Sequence, residues 1–262
     1  MGIKSNNLDE ESVAAAMAKH EKIIIQLLAG PIDRRILHKR HKKSRSTVYR
    51  GLNELADLEL VSESNSTYSL TRFGEQVFLE YRNYLSRVAS LVTARRTLGD
   101  KVVDELLNPD ILVSASVTLA KKPTPNKPIE QIKETINEAA ALQGFTPVIL
   151  PQYVTSFHER IIKGNLTAEV VVEPAVLNSL RNDYSRELNS ALETGTLSLF
   201  QSTTELSFGL IYVLEPTPRV CIIVYGETGQ VLGVIRNNTV ESKEWAKSVY
   251  QMHRSNAKPI NR

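Results

Sequence analysis

One stretch of the sequence, residues 34–53, constrains the fold more than any other because it combines helical spacing with unmixed positive charge. It holds eight Lys and Arg, two His and no carboxylate, so it carries +8 in a chain of net charge +3, which leaves −5 for the remainder by subtraction. Val48, Leu52 and Leu55 recur at i, i+4 and i+7, and Ser44 stands where a helix N-cap is needed. The pattern predicts a basic helix with one buried face.

The opposite face of this predicted helix carries polar and basic side chains. A solvated helix face usually mixes both signs of charge, so an element with positive charge alone indicates a partner that carries phosphates. We predict that DNA bases and phosphates are contacted by polar and cationic residues of this helix, of the segment before it and of the hairpin after it: Arg34, Arg35, Lys42, Lys43, Arg45, Ser46, Thr47, Tyr49, Arg50, Asn53, Ser64 and Asn65. The alternative is a basic helical hairpin that contacts no nucleic acid.

The elements around the basic helix follow from periodicity and turn residues. In order, they are a helix over 11–29, a helix over 32–38, a turn at 41–43, the basic helix from Ser44, and strands over 60–63 and 67–70 joined by a polar loop at 64–66. Helices followed by a hairpin in this order predict a winged helix-turn-helix.

The region from about residue 12 to 75 resembles archaeal and bacterial winged-helix transcription regulators. The segment S-R-S-T-V-Y-R-G-L-N-E-L-A-D-L-E-L-V at 44–61 resembles their recognition helix leading into the wing, and Y-S-L-T-R-F-G at 68–74 resembles the return strand and the start of the next helix. The resemblance implies that the helix from Ser44 enters the major groove, while Lys42, Lys43 and the wing hold the DNA backbone.

A long, uninterrupted helical pattern follows the hairpin. Thr71 is suited to cap a helix over 72–98, whose apolar residues recur along one continuous stripe. At 1.5 Å per residue this helix would span roughly 40 Å, which is more than a small DNA-binding domain can cover. We therefore predict three regions: a winged-helix domain at 1–71, a linking and dimerisation helix at 72–109, and a C-terminal domain at 110–262.

The C-terminal region alternates extended and helical patterns and ends in three closely spaced strands. The predicted elements are extended segments at 111–113 and 116–119, a loop at 121–128, a helix over 129–143 ended by Gly144, a strand at 147–150, a helix over 154–163, a strand at 168–172, a helix over 174–193, strands at 206–214, 219–225 and 230–236, and a helix over 240–253. The predicted fold class is α+β: an N-terminal winged helix-turn-helix, a long linking helix, and a C-terminal α/β domain with a mixed sheet ending in an antiparallel meander.

This second half resembles the C-terminal domain of archaeal winged-helix regulators of methanogenesis or filamentation, and more distantly the effector domain of TrmB-type sugar regulators. The resemblance rests on F-G-L-I-Y-V-L at 208–214, V-C-I-I-V-Y-G-E-T-G-Q-V-L-G-V-I at 220–235 and E-S-K-E-W-A-K-S-V-Y at 241–250. It implies a domain that senses a small-molecule effector or mediates assembly, and it identifies no particular ligand.

Polar residues along or at the ends of the closing strands are the predicted ligand contacts: Glu205, Tyr212, Arg219, Tyr225 and Arg236. If they point inward, Arg219 and Arg236 favour an anionic ligand through charge-assisted hydrogen bonds. The same residue types also occur on the solvent face of a half-exposed antiparallel sheet, in which case the domain serves assembly alone.

Enzymatic activity is not expected, although effector domains of the TrmB type are distantly related to the phospholipase D fold. That chemistry needs His followed two residues later by Lys, whereas His158 is followed by Glu159 and Arg160 and no H-x-K occurs in the second half. The sequence has no P-loop, and its five His and single Cys221 do not form a metal-binding pattern, so neither a metal nor a cofactor is predicted. Cys221 lies in an apolar run and is interpreted as an inert core thiol.

Composition bounds the remaining possibilities. With 262 residues, of which 42% are apolar, the chain can build cores for two domains. It has no apolar run typical of a signal peptide or membrane span, and its lone cysteine suits a reducing compartment, so a cytoplasmic location without a membrane partner is expected. The favoured hypothesis is a homodimeric, sequence-specific regulator of transcription that binds double-stranded DNA. A non-specific architectural protein that binds DNA or RNA is the alternative, and a phospholipase D-like hydrolase is less favoured.

Overall fold

The computed structural model describes residues 8–40, 44–98, 106 and 108–260. Its contacts divide the chain into two compact units, Met1–Ser86 and Arg87–Arg262, which we call the N-terminal and C-terminal units. The boundary falls inside a long helix.

The N-terminal unit is a winged helix-turn-helix. Its elements are α1 (Glu10–Leu27), β1 (Ile32–Asp33), α2 (Arg34–Arg40), α3 (Arg45–Asp57), β2 (Val61–Ser64), β3 (Thr67–Leu70) and the first part of α4 (Arg72–Leu98). The three strands form an antiparallel sheet of order β1-β3-β2. Met17, Ile24, Leu52 and Leu55 meet in a core from which water is excluded, as their helical spacing predicts.

The second predicted helix begins later than expected because its first two residues form a strand. Ile32 pairs with Tyr68 of β3 and is buried in the core. The Asp33 Oδ1 atom then accepts a hydrogen bond of 2.7 Å from the Arg35 backbone N–H, and α2 starts at Arg34. A short polar side chain just before a helix commonly satisfies the first free N–H groups in this way.

Helix α4 contributes to both units. Val77, Phe78 and Tyr81 pack against the core of the N-terminal unit, whereas Leu91 and Ala94 pack against that of the C-terminal unit. The region predicted as a separate linker at 72–109 is therefore divided between the two units, and α5 (Pro109–Leu112) follows it. Apolar side chains remain exposed along α4 at Phe73, Leu79, Tyr84, Val88 and Val92.

The C-terminal unit is built on one mixed sheet. After α5 its elements are β4 (Ser116–Leu119), α6 (Lys127–Glu138), β5 (Ala141–Thr146), α7 (Pro151–Ile162), β6 (Thr167–Val172), α8 (Pro174–Asp183), α9 (Ser185–Glu193), β7 (Leu197–Gln201), β8 (Gly209–Glu215), β9 (Arg219–Tyr225), β10 (Val231–Asn237), α10 (Val240–Ser255) and β11 (Lys258–Pro259). The eight-stranded sheet has the order β11-β7-β6-β5-β8-β9-β10-β4. Strands β5, β6 and β7 run parallel, and β8, β9 and β10 form the predicted antiparallel meander.

The sheet is covered on both faces, so alternate residues of its central strands enter two different cores. Cys221 and Ile223 of β9 face α6, α7 and α9, while Val220 and Ile222 face α10 and α5. Helix α8 packs on the same side as α9. Burial on both faces makes β9 a continuous apolar run, as is common for covered sheets.

Two segments differ from their predicted structure because of a helix cap and a close contact between strands. The segment 111–113 is not extended: the Asn108 side chain accepts the Asp110 N–H at 2.9 Å, and Pro109 starts the single turn of α5. Gly144 does not end a helix, since α6 stops at Glu138 and Gly144 lies inside β5. A β-carbon on Gly144 would lie 2.2 Å from the Leu210 carbonyl oxygen, so this close approach of two strands requires glycine.

Three further segments of this unit differ from their predicted structure. The predicted strand at 147–150 is irregular, because the strand at this place in the sheet is Ala141–Thr146. The long helix predicted over 174–193 is interrupted at Tyr184, whose φ of −133° and ψ of 34° are not helical. Strand β7 (Leu197–Gln201) was not predicted.

Candidate functional site

Helix α3 starts as its sequence predicts. Ser44 has extended backbone angles, and its Oγ atom accepts the Thr47 N–H at 3.2 Å. The same oxygen lies 2.9 Å from Ser46 Oγ and 2.8 Å from Thr47 Oγ1. The first turn of α3 is therefore held by a network of small hydroxyl groups, with Thr47 half-buried beneath them.

The outward face of α3 presents Arg45, Ser46, Arg50 and Asn53, all of which are exposed. Arg50 bends back along the helix, where its Nε atom donates to the Ser46 carbonyl oxygen at 3.4 Å. Residues 45–53 contain no carboxylate, so no acidic side chain of this stretch offsets the two guanidinium charges. The four side chains form a contiguous surface able to donate and accept hydrogen bonds.

Tyr49 and Arg34 lie at the junction of α2 and α3. The Arg34 guanidinium carbon lies 5.2 Å from the centroid of the Tyr49 ring, and both side chains are half-buried. The Arg34 Nε atom is buried and has no hydrogen-bond partner among the described residues. These two predicted DNA contacts are therefore engaged with each other, whereas Arg35 on α2 is exposed.

The wing is the tight hairpin that joins β2 and β3. Asn65 and Ser66 have φ values of 49° and 64°, which allow the strands to be linked by a two-residue turn. Ser64 and Asn65 are exposed at its tip, as predicted. Lys42 and Lys43, which were predicted to contact the DNA backbone, lie outside the described residues.

Helix α3 is also held against α1 by an ionic contact that was not predicted. The Glu54 Oε2 atom lies 2.7 Å from Lys19 Nζ and 3.0 Å from His20 Nε2. Hydrogen bonds from Lys19 and then from His20 lower the pKa of the Glu54 carboxyl group below its ordinary value. His20 itself is buried.

The predicted ligand residues of the C-terminal unit do not converge on one site. Arg219 Nη2 lies 2.6 Å from Glu138 Oε2, and Arg236 Nη1 lies 3.7 Å from Glu134 Oε2, so both arginines face carboxylates of α6. Tyr212 packs on the opposite face of the sheet, against the core that α10 covers. Glu205 is exposed.

Tyr225, the remaining predicted ligand residue, lines a cavity of about 140 Å³ between the sheet and the helices α6, α7 and α9. The walls are predominantly apolar, with Ile132, Ile136, Phe157 and Ile223 among them. Lining residues with polar side chains are few: Thr146, Tyr153, His158, Glu187 and Tyr225. Among the residues that the structure describes, no Lys or Arg lines this cavity.

The two tyrosines of the cavity are kept neutral by burial. Burial raises the pKa of both phenols well above its ordinary value. The Tyr225 hydroxyl lies 3.3 Å from Thr146 Oγ1, whereas the buried Tyr153 hydroxyl has no partner in the described part of the chain. Nearby, His158 Nε2 lies 2.9 Å from Ser190 Oγ. The sequence offered no signal for Tyr153 or His158, because only folding brings α7 over the sheet.

Within residues 8–40, 44–98, 106 and 108–260, no three His, Cys, Asp or Glu side chains are grouped closely enough to hold a metal ion. No helix in the same residues has the length and hydropathy needed to cross a membrane.

Known proteins resemble the chain over most of its length. The family model described as methanogenesis regulatory protein FilR1, middle domain, matches residues 125–256, just over half of the chain. A second family model, described as the HVO_A0261 N-terminal domain, matches residues 8–100. No curated protein matches the sequence.

Several solved structures are similar to the chain at low sequence identity. The chain is similar to TrmBL2, described as an archaeal chromatin protein with a novel mode of DNA binding, with 14% identity, a TM-score of 0.44, and coverage of 96% of this chain and 100% of that one. It is also similar to the phospholipase D family member Nuc from Salmonella typhimurium, with 12% identity, a TM-score of 0.42, and coverage of 56% and 99%. HmgR from Pseudomonas aeruginosa shows 14% identity, a TM-score of 0.25, and coverage of 95% and 97%.

Proposed function

The chain belongs to the family described as methanogenesis regulatory protein FilR1, middle domain, and is a DNA-binding regulator of transcription; from this premise we propose that it recognises a discrete DNA sequence as a homodimer. The observation that carries the proposal is the exposed surface of α3 formed by Arg45, Ser46, Arg50 and Asn53. An α-helix fits the major groove of B-form DNA, where base edges present distinct patterns of donors and acceptors.

Within that surface, the two arginines supply the specificity. A guanidinium group can donate two parallel hydrogen bonds to the O6 and N7 atoms of guanine, and Asn can form a similar pair with adenine. In this proposal the exposed Arg45 and Asn53 contact base edges, while the exposed Arg35 on α2 and Asn65 in the wing contact phosphates. Phosphate contacts position the protein, and base contacts determine which sequence it binds.

Dimerisation through α4 is the second part of the proposal. Large apolar side chains of α4 remain open to solvent at Phe73, Leu79, Tyr84 and Val88, with Tyr84 62% exposed. Exposed apolar residues that recur along one helix are typical of a surface covered by a partner. In a two-fold symmetric dimer the two α3 helices would contact half-sites about one helical turn, or a multiple of it, apart.

The C-terminal unit has a regulatory and not a catalytic role in this proposal. Its second half has no H-x-K segment, and His158 is hydrogen-bonded to Ser190. The cavity beside Tyr225 gives this unit a place where a small molecule could bind and alter the activity of the regulator.

Selection of bound fragments from random DNA, followed by footprinting on the enriched sequence, tests the proposal. A footprint confined to one site, with two-fold symmetry, is expected from a sequence-specific dimer. Uniform protection of all DNA, or preferential binding of RNA, would instead identify a non-specific architectural protein. A control variant, Arg181→Ala, removes one exposed charge from α8 and should leave the footprint unchanged.

A further inference from the structure

We propose that the cavity of the C-terminal unit binds a neutral, largely apolar molecule between benzene and indole in size. This assigns a chemical class to the effector. It rests on the proposed function only for the effect that the bound ligand would have on DNA binding. The binding itself follows from the volume, the lining and the charges of the cavity.

The volume sets the size of the ligand. The cavity has a volume of about 140 Å³ between the sheet and α6, α7 and α9. An apolar protein cavity of roughly 150 Å³ stays dry and takes up benzene or xenon. A ligand of about six to nine non-hydrogen atoms therefore fits, and a sugar or nucleotide is too large and too polar for this site.

The lining determines the polarity of the ligand. Ile132, Ile136 and Ile161 come from the covering helices, and Leu142 and Ile223 come from the sheet. An anionic ligand would lose its hydration here without gaining an opposite charge from a Lys or Arg of the lining, which is costly. Arg219 and Arg236 do not line the cavity and pair with Glu138 and Glu134, and the lining carries the Glu187 carboxylate instead.

One hydrogen bond can add selectivity within the apolar walls. The Thr146 hydroxyl donates to the Val148 carbonyl oxygen at 2.7 Å, so in its contact with Tyr225 the tyrosine hydroxyl is the donor. The oxygen of Tyr225 then keeps lone pairs able to accept a hydrogen bond. A ligand with one N–H or O–H group, such as indole, is matched better than a plain hydrocarbon of the same size.

The irregular segment at 147–150 gives a second reason to expect a ligand. Val148, Ile149 and Leu150 all line the cavity, yet each remains only half-buried. In an irregular segment, consecutive apolar side chains are usually buried in a core, and exposed positions are usually polar. An apolar molecule in the cavity would remove more of their surface from water, which stabilises the complex in proportion to the area buried.

The full-length chain can be tested directly by thermal unfolding in the presence of indole and, separately, of benzoate. Indole at ten times its dissociation constant should raise the unfolding temperature of the C-terminal unit by about 3 to 6 °C, because only the folded state binds it. Benzoate, a carboxylate of similar size, should give no rise. An equal or larger effect of benzoate would overturn the proposal.

Cavity-filling variants locate the binding site. Ala191→Leu and Val170→Leu each add carbon atoms to side chains that line the cavity, and both should abolish the indole effect. Val117→Leu adds one methylene group on the opposite face of the sheet and should preserve it. Should neither filling variant fold, contacts between indole protons and the Tyr225 ring in the NMR spectrum of the unmodified chain decide the question, and their absence at saturating indole would sink the proposal.

DNA binding without any added ligand separates this inference from the proposed function. A discrete footprint in a protein that binds no indole would refute the cavity proposal and leave the regulator intact. A protein that binds indole in the cavity but no discrete DNA site would support the cavity proposal and refute the proposed sequence-specific regulator.

Discussion

The α-carbon of Gly51 lies so close to the imidazole ring of His20 that a β-carbon at Gly51 would be 2.7 Å from His20 Nδ1. The ring is buried, and its Nε2 atom contacts Glu54, so it cannot turn away without losing that interaction. Gly51→Ala should therefore destabilise the N-terminal unit by about 1 to 3 kcal/mol, despite the higher helix propensity of alanine. Chemical denaturation measures the change.

His20→Ala supplies the matched control for this substitution. If the destabilisation comes from a clash between the added methyl group and the His20 ring, Gly51→Ala should barely change the free energy of unfolding in the His20→Ala background. The effects of the two substitutions should then be strongly non-additive. Additive effects would show that another contact causes the destabilisation.

Glu54 should make the stability of the N-terminal unit depend on pH in the acid range. Its pKa is lowered in the folded state by hydrogen bonds from Lys19 and His20, so the ionised carboxylate stabilises the fold. This contribution is fully present above the unfolded value near 4.5 and is lost as the pH falls through the lower, folded value. Glu54→Gln should therefore reduce the loss of stability between pH 6 and pH 3, measured by denaturant midpoints. Equal pH profiles for both proteins would contradict the role of this contact.

Arg160 should be required for the stability of the C-terminal unit. Its guanidinium group donates to the carbonyl oxygens of Asn137, Ala139 and Asn165, the first of which lies in the last turn of α6 and the second directly after that helix. Arg160→Met leaves these acceptors without their donor and should cost about 2 kcal/mol or more. Arg160→Lys keeps the charge but cannot reach three acceptors at once, so an intermediate loss is expected. A lysine variant as stable as the original would show that charge alone matters.

DNA affinity should respond differently to residues on and beside α3. Arg45→Ala should weaken binding to the preferred site by about 1 to 3 kcal/mol and relax the preference at one base pair, because the side chain is exposed on the face of α3 that we propose reads bases. Replacing Lys42 and Lys43 by Ala should weaken binding to all sequences alike and reduce its salt dependence. Fluorescence anisotropy on the selected site and on unrelated DNA distinguishes the two patterns. Unchanged specificity in Arg45→Ala would contradict the assignment of α3.

The oligomeric state should depend on the exposed apolar residues of α4. Light scattering at tens of micromolar should give twice the mass of one chain, and Val88→Glu should reduce it to that of a monomer, because a buried carboxylate without a partner is costly. Leu28→Glu changes another exposed apolar side chain, which lies at the end of α1, and serves as the control. A monomeric unmodified chain would refute dimerisation through α4.

The sequence by itself determined the N-terminal unit because its signals are local. The Ser44 cap acts on the N–H group of Thr47, only three residues away, and the apolar stripe of α3 can be read from helical spacing alone. The exposed face of α3 is the one opposite this stripe, so helical geometry identifies it as well. The meander was predictable for a similar reason, since close antiparallel strands are joined by short turns that the chain encodes directly.

Only the tertiary structure decided the parallel half of the sheet and the cavity. Strands β5 and β7 show no clear alternation of polar and apolar residues, because both faces of this sheet are covered. The need for glycine at position 144 is explained only by the close approach of the Leu210 carbonyl oxygen. Tyr225 and Thr146 are 79 residues apart, and Arg219 and Glu138 are 81 apart, yet each pair is in contact. Such pairings arise from the packing of helices on the sheet, which local sequence patterns do not encode. For that reason the sequence suggested polar residues of the closing strands as ligand contacts, but not that Tyr225 alone among them would line the cavity.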